Sequence, residues 1–273
     1  MAVARIGISG WRYPPWRSSF YPPGLPQRLE LNYAAQRMTA IEINGTFYSL
    51  QRPSSFAAWR ADTPDGFVFA VKGGRFITHL KRLVDIRVPL ANFFASGVLA
   101  LGDKLGPVLW QLPATLPFDR DVLAGFLGQL PTSTGAAAAL AGEHDQRIAA
   151  DREFTVTDAD RPLRHALEPR HPSFAEPAAL DLLAQHGVAM VLADAAGRWP
   201  VIDAVTADFC YLRLHGATEL YTSGYSSAEL DAWAGRIGDR LAQGLDVFAF
   251  FDNDAKVRAP FDAQGLISRL PRP

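Results

Sequence analysis

YLRLHG, residues 211–216, is the stretch on which the reading of this chain turns. Tyr211, Leu212 and Leu214 favour a strand. Alternation then sets Tyr211, Arg213 and His215 on one face and Leu212 and Leu214 on the other. An arginine and a histidine facing the same way are costly to bury without partners. The segment makes sense if its carboxyl end opens onto a polar site, so the other strand-like segments decide the case.

Seven of them exist. ARIGISG (4–10), AIEING (40–45), GFVFAVKG (66–73), GPVLWQLP (106–113), LRHALEPR (163–170), VAMVLAD (188–194) and DVFAFFDN (246–253) join DFCYLRLHG (208–216). Most are apolar runs that end in polar residues, the pattern of strands covered on both faces. Helical signals lie between several of them. Ser173 and Glu176 have capping-box spacing ahead of Leu180 and Leu183, with Gly187 as the stop; Ser226 and Glu229 repeat it ahead of Leu230, Trp233 and Ile237, with Gly244 as the stop. The segment from Val84 to Leu105 has the apolar content of one long helix or two short ones, with Pro89 to break or start it.

Strands alternating with crossovers imply a parallel sheet, and eight such units in about 250 residues predict a (β/α)8 TIM-type barrel. A doubly wound open sheet is the runner-up, but no G-x-G-x-x-G follows the first strand and no phosphate-binding P-loop occurs. The reading is a single domain over residues 1–273, with an Ala-rich and then charged crossover at about 131–162. The sixth unit has room only for a short helix between Asp194 and Asp208.

Composition narrows the function classes. The 273 residues are 48% hydrophobic and 20% charged, with a net charge of -1, so there is no general pull toward nucleic acid or anionic membranes. Nucleic acid is not favoured as a partner, although local basic and aromatic loops leave room for a nucleic-acid end. Cys210 is the only cysteine, which rules out an internal disulfide and a thiolate metal cluster. No signal-like segment and no run of ~20 apolar residues occurs, so a reduced, cytoplasmic setting without a membrane partner is expected. Oligomeric state is not legible.

In a barrel the carboxyl ends of the strands meet at one mouth, where active sites sit. Read in order, they carry Ser9 and Trp11, Glu42 and Asn44, Lys72, Gln111, Glu168 and Arg170, Asp194, Arg213 and His215, then Asp252 and Asn253. The candidate catalytic carboxylates are Glu168, Asp252 and Glu42. The candidate substrate ligands are Lys72, His79, Arg170, His171, Arg213, His215, Asn253, Asp194, Trp11 and Tyr48. A purely structural ion-pair layer is the competing reading, but burying such a layer is a poor route to stability. Asn44 and Gln111 are the first candidates for scaffolding. Trp11, Phe47 and Trp59 are expected to plug or cover the barrel more than to stack on a ligand.

GISGWRYPPW, EINGTFY, FAVKGGRFITHLKRL, LGPVLWQLP, EPRHPSF, LADAAGRWP, LRLHG and FFDNDA, in this order across nearly the whole chain, resemble the YecE-like family, a domain of unknown function (number 72). Gly45 stands where that pattern usually has Ser or another small residue, and Phe174 where it has Trp. The resemblance implies a TIM barrel and carries no settled activity.

The residues themselves suggest an enzyme for a small anionic substrate, phosphorylated and sugar- or nucleotide-like, in which guanidinium and ammonium groups hold the anion and a carboxylate does general acid/base work. No cofactor and no metal are expected, because Lys72, Arg170 and Arg213 balance the acids. A divalent-metal hydrolase, isomerase or phosphodiesterase of the xylose-isomerase or endonuclease type is the alternative, with Glu42, Glu168, Asp194, His215 and Asp252 as ligands. A retaining glycosidase ranks third, because Gln111 and Arg213 stand where barrel glycosidases place their acids. A non-catalytic binder of a metabolite or nucleic-acid end is the reading from another class.

Overall fold

The computed structural model describes residues 1–270, and each of the eight apolar runs is a strand in it: β1 (Ala4–Ser9), β2 (Ala40–Ile43), β3 (Val68–Lys72), β4 (Leu105–Gln111), β5 (His165–Glu168), β6 (Ala189–Asp194), β7 (Phe209–Leu214) and β8 (Asp246–Phe251). They close in chain order into an eight-stranded parallel barrel of the (β/α)8 TIM type. β5, β7 and β8 stop short of Arg170, His215 and Asp252, so these three polar residues open loops instead of ending strands.

The helices are α1 (Glu30–Ala35), α2 (Gly45–Tyr48), α3 (Pro53–Ala61), α4 (Arg87–Ala95), α5 (Arg120–Leu127), α6 (Thr134–Ala141), α7 (Pro177–Gln185), α8 (Ser227–Ala242) and α9 (Ala259–Ile267). At α8 the capping box forms as expected: Ser226 accepts from the Glu229 amide and Glu229 answers on the Ser226 amide. Gly244 (φ 83°) and Gly187 (φ 61°) end α8 and α7 in the left-handed conformation that favours glycine.

Three expectations need refinement. The box at Ser173 does not form, because the Ser173 hydroxyl is already engaged by His171 Nδ1 (2.8 Å) and by the Phe118 amide, which donates to it (2.7 Å). Pro172–Ala175 is a 3-10 turn instead, and α7 begins at Pro177. The segment from Val84 resolves into α4 and a 3-10 stretch, Val98–Lys104. Among the described residues no helix lies between β6 and β7, not even a short one. Ala196 and Gly197 both take positive φ there and Pro200 follows, which stops a helix from propagating. The crossover at about 131–162 is α6 and a loop, tied back where Thr134 Oγ1 donates to the Ala159 carbonyl (2.7 Å).

Two compact units emerge from the contacts: Met1–Glu42 with Thr63–Phe67 and the chain from Ala189 on, and Ile43–Asp62 with Val68–Val188. In the first, Tyr211, Phe248 and Phe250 are buried along β7 and β8, and the loop after β1 buries Trp16, Phe20 and Tyr21. In the second, Trp110 of β4 packs against Phe93, Phe126 and His165. No helix of the described residues is long and apolar enough to cross a membrane.

Candidate functional site

In the first unit the face shared by Tyr211 and Arg213 is where polar groups collect. Arg213 is 0% exposed. Its Nε donates to Glu42 Oε2 (3.1 Å) and its Nη2 to Glu42 Oε1 (2.8 Å) and Asp252 Oδ2 (2.8 Å). Tyr211 donates its hydroxyl to Glu42 Oε2 (2.6 Å), and Ser9 donates to Oε1 (2.8 Å). Strand pairing sets this up, because Ser9 lies level with Glu42 on β1 and β2. Glu42 thus accepts four hydrogen bonds in a site where an unpaired carboxylate could not remain. His215 Nδ1 lies 3.2 Å from Asp252 Oδ2, and its ring meets Trp199 and Tyr221 edge-on.

Asp194 and Asn253 belong to a second network in the same unit. Tyr225 donates its hydroxyl to Asp194 Oδ2 (2.9 Å), while Asn253 Nδ2 donates to Asp262 Oδ2 (2.7 Å) and the Ser223 carbonyl (2.9 Å). Burial pushes the carboxyls of Asp194 and Asp262 up. Asp254 is pushed up to about 6 by burial and by the charge of Asp252. Trp11 is buried, and its carbonyl accepts from the Tyr21 hydroxyl (2.6 Å).

In the second unit Lys72, His79, Gln111, Glu168 and Arg170 come together. Glu168 is fully buried and accepts from Arg170 Nε (3.1 Å). Lys72 sits with Nζ 4.6 Å from the centroid of the Phe47 ring, a cation over an aromatic face. The His79 ring meets Phe47 edge-on at 5.1 Å. His79 Nδ1 lies 2.9 Å from Thr78 Oγ1, and Nε2 lies 3.5 Å from Gln111 Nε2. Since an amide nitrogen only donates, that contact makes Nε2 the acceptor and leaves the ring proton on Nδ1. Burial first, and then the charges of Arg170, Lys72 and Arg75, lower the His79 pKa to about 4; Glu168 alone opposes them.

His171 is occupied locally: its Nδ1 holds Ser173 and caps the 3-10 turn. Tyr48 is 72% exposed. Sequence reading missed Arg75, Tyr225 as a partner of Asp194, and the pair Asp254 and Asp262. Arg75 had a signal in its place directly after Gly73 and Gly74 at the end of β3. Among the described residues no group of three or more His, Cys, Asp or Glu side chains is placed to hold a metal ion.

A family model described as a protein of unknown function, DUF72, matches residues 5–273. The chain belongs to the DUF72 family. Among named relatives, the UPF0759 protein YecE of Escherichia coli K12 is 31% identical over 127 residues, 46% of this chain and 44% of that protein. The UPF0759 protein YunF of Bacillus subtilis is 26% identical over 113 residues, 40% and 39% of the two chains. Each match therefore spans less than half of the relative's length. The DUF72 barrel is also seen in a family protein of Thermotoga maritima, with TM-score 0.76 at 23% identity over 97% of this chain and 98% of that one. One from Enterococcus faecalis has TM-score 0.73 at 15% identity over 98% and 95%. These likenesses concern the fold.

Proposed function

We propose that this DUF72 chain is an enzyme for a small anionic substrate, phosphorylated and sugar- or nucleotide-like, and that the cluster at the ends of β3, β4 and β5 binds it. The carrying observation is the composition of that cluster. Three cations, Lys72, Arg75 and Arg170, surround a histidine whose field only Glu168 opposes. A phosphate-like group would relieve this excess of positive charge, and Arg170 and Lys72 are the donors for it. Glu168, already fixed by Arg170, is the group to take a proton from the substrate and return it to the product. Neutral His79, engaged by Thr78 and Gln111, would line the site without adding charge. The cluster around Glu42, Arg213 and Asp252 has its donors turned onto its own carboxylates, which supports a scaffolding role for Arg213 and leaves Asp252 as its more accessible member.

The proposal treats residues 1–273 as one domain in a reduced, cytoplasmic setting, in keeping with a single cysteine. Calorimetric titration with inorganic phosphate, a hexose phosphate and a nucleoside monophosphate tests it. Wild type should bind at least one of them at millimolar concentration or better, with Arg170→Gln weaker by about tenfold. Glu168→Gln removes the single opposing charge, so it should bind the anion at least as tightly as wild type while losing any turnover. No binding up to about 10 mM, or equal binding by Arg170→Gln, overturns the anion site. Unchanged turnover in Glu168→Gln would leave the cluster a binding site with the acid/base role wrong.

A further inference from the structure

A second feature of the same unit adjoins that cluster and shares Arg75 with it. Phe47, Tyr48, Phe76, Ile77, Leu80 and Phe93 wall a cavity of about 420 Å³, within the range of small-molecule sites. Its charged lining residues are Arg75 and Arg147, with no acid among the lining side chains. Both arginines are exposed, and the Arg147 guanidinium lies 4.9 Å over the Phe76 ring. Tyr48 and Leu80, which is 61% exposed, leave apolar surface standing at the rim, where a monomer gains nothing from it.

The backbone of this wall is irregular. Phe76–Leu80 is a π-helical turn in which the Lys81 amide bonds back to the Phe76 carbonyl (2.8 Å). Arg82, Leu83 and Asp85 follow with φ of 50°, 71° and 50°. π-turns and non-glycine residues in the left-handed region are sparsely populated and cluster at ligand sites. Here the turn brings Phe76, Ile77 and Leu80 to one cavity wall.

We infer that this cavity binds a planar aromatic monocarboxylate. The aromatic body would fill the space walled by Phe47, Phe76 and Phe93, and the carboxylate would meet the guanidinium forks of Arg75 and Arg147. Two cations without a lining acid select against a neutral or cationic ligand of the same shape. Phe47 belongs to this wall and also lies under Lys72, so occupancy of the cavity touches the phosphate cluster through one ring.

The test is titration with indole-3-acetate and its neutral counterpart indole-3-ethanol, on wild type, on Arg75→Gln/Arg147→Gln, and on Arg170→Gln. Both arginines of the double variant are exposed, so its fold should hold. Wild type should bind the acid saturably and at least about tenfold more tightly than the alcohol. The double variant should lose that preference, and Arg170→Gln should keep it. The inference is overturned if the acid does not saturate below about 5 mM, if the alcohol binds equally well, or if Arg170→Gln and not the double variant loses the acid. The last result would assign the carboxylate to the phosphate cluster, while failure of phosphate binding alone leaves the cavity inference standing.

Discussion

Arg213→Met is expected to lower the unfolding free energy by about 3–5 kcal/mol, read from urea denaturation. The substitution keeps much of the side-chain volume but removes the guanidinium that bridges Glu42 and Asp252. Glu42 would then be a fully buried carboxylate held only by the hydroxyls of Ser9 and Tyr211. Asp252 reaches solvent and suffers less. Because the cost lies in the uncompensated charge, Glu42→Gln added to Arg213→Met should restore about 2 kcal/mol, the Gln carbonyl accepting from one of the two hydroxyls and its NH2 donating to the oxygen of the other. A loss below about 1 kcal/mol in the single variant, or no recovery in the double, would contradict the reading of this cluster as scaffold.

Acid should also act through a buried histidine. His165 donates from Nε2 to the Pro131 carbonyl (2.8 Å) and accepts from Trp110 Nε1 at Nδ1 (3.1 Å), an arrangement only the neutral ring can make. Burial lowers its pKa to about 4. The unfolded chain takes up a proton near pH 6.5, whereas the folded protein resists until about 4. The stability is therefore present in full above 6.5 and is lost as the pH falls through 4, by about 3 kcal/mol. His79 shifts in the same direction and, being half-exposed, adds less. Asp194, Asp254 and Asp262 oppose both: their raised values favour the folded state as acid is added. A His165→Gln variant isolates the histidine, since Gln can keep both hydrogen bonds and does not titrate. The stability difference between wild type and variant should move by about 3 kcal/mol in favour of the variant between pH 6.5 and 4. A constant difference would show that His165 is protonated in the fold or is free to leave it.

The barrel was legible because most of the strands are apolar runs with a polar residue at or near the carboxyl end, and that pattern survives without tertiary information. Parity along YLRLHG likewise put Arg213 on the face it occupies, but its partner Glu42 lies 171 positions away and nothing in the strand itself names it. The Ser173 box failed for a local reason: His171, two residues earlier, engages the same hydroxyl. Ser226 has no such competitor, and its box forms. The missing helix after β6 coincides with left-handed Ala196, and the π-turn after β3 is followed by left-handed Arg82, Leu83 and Asp85, which no apolar periodicity announces. The aromatic cavity was invisible because its walls come from α2, the π-turn and α4, with Arg147 from a distant loop.

The central claim is that the positive field around His79 exists to receive an anion. NMR titration of the His79 ring, with and without saturating inorganic phosphate and with sodium chloride matching the ionic strength, tests it most directly. The account predicts a pKa of about 4 in the free protein and a rise of about one unit or more with phosphate, since the anion cancels the charges of Lys72, Arg75 and Arg170. By reciprocity, phosphate should also bind more tightly as His79 protonates. A His79 value near 6.5 in the free protein, or one that about 20 mM phosphate moves no further than the matched chloride does, would contradict it.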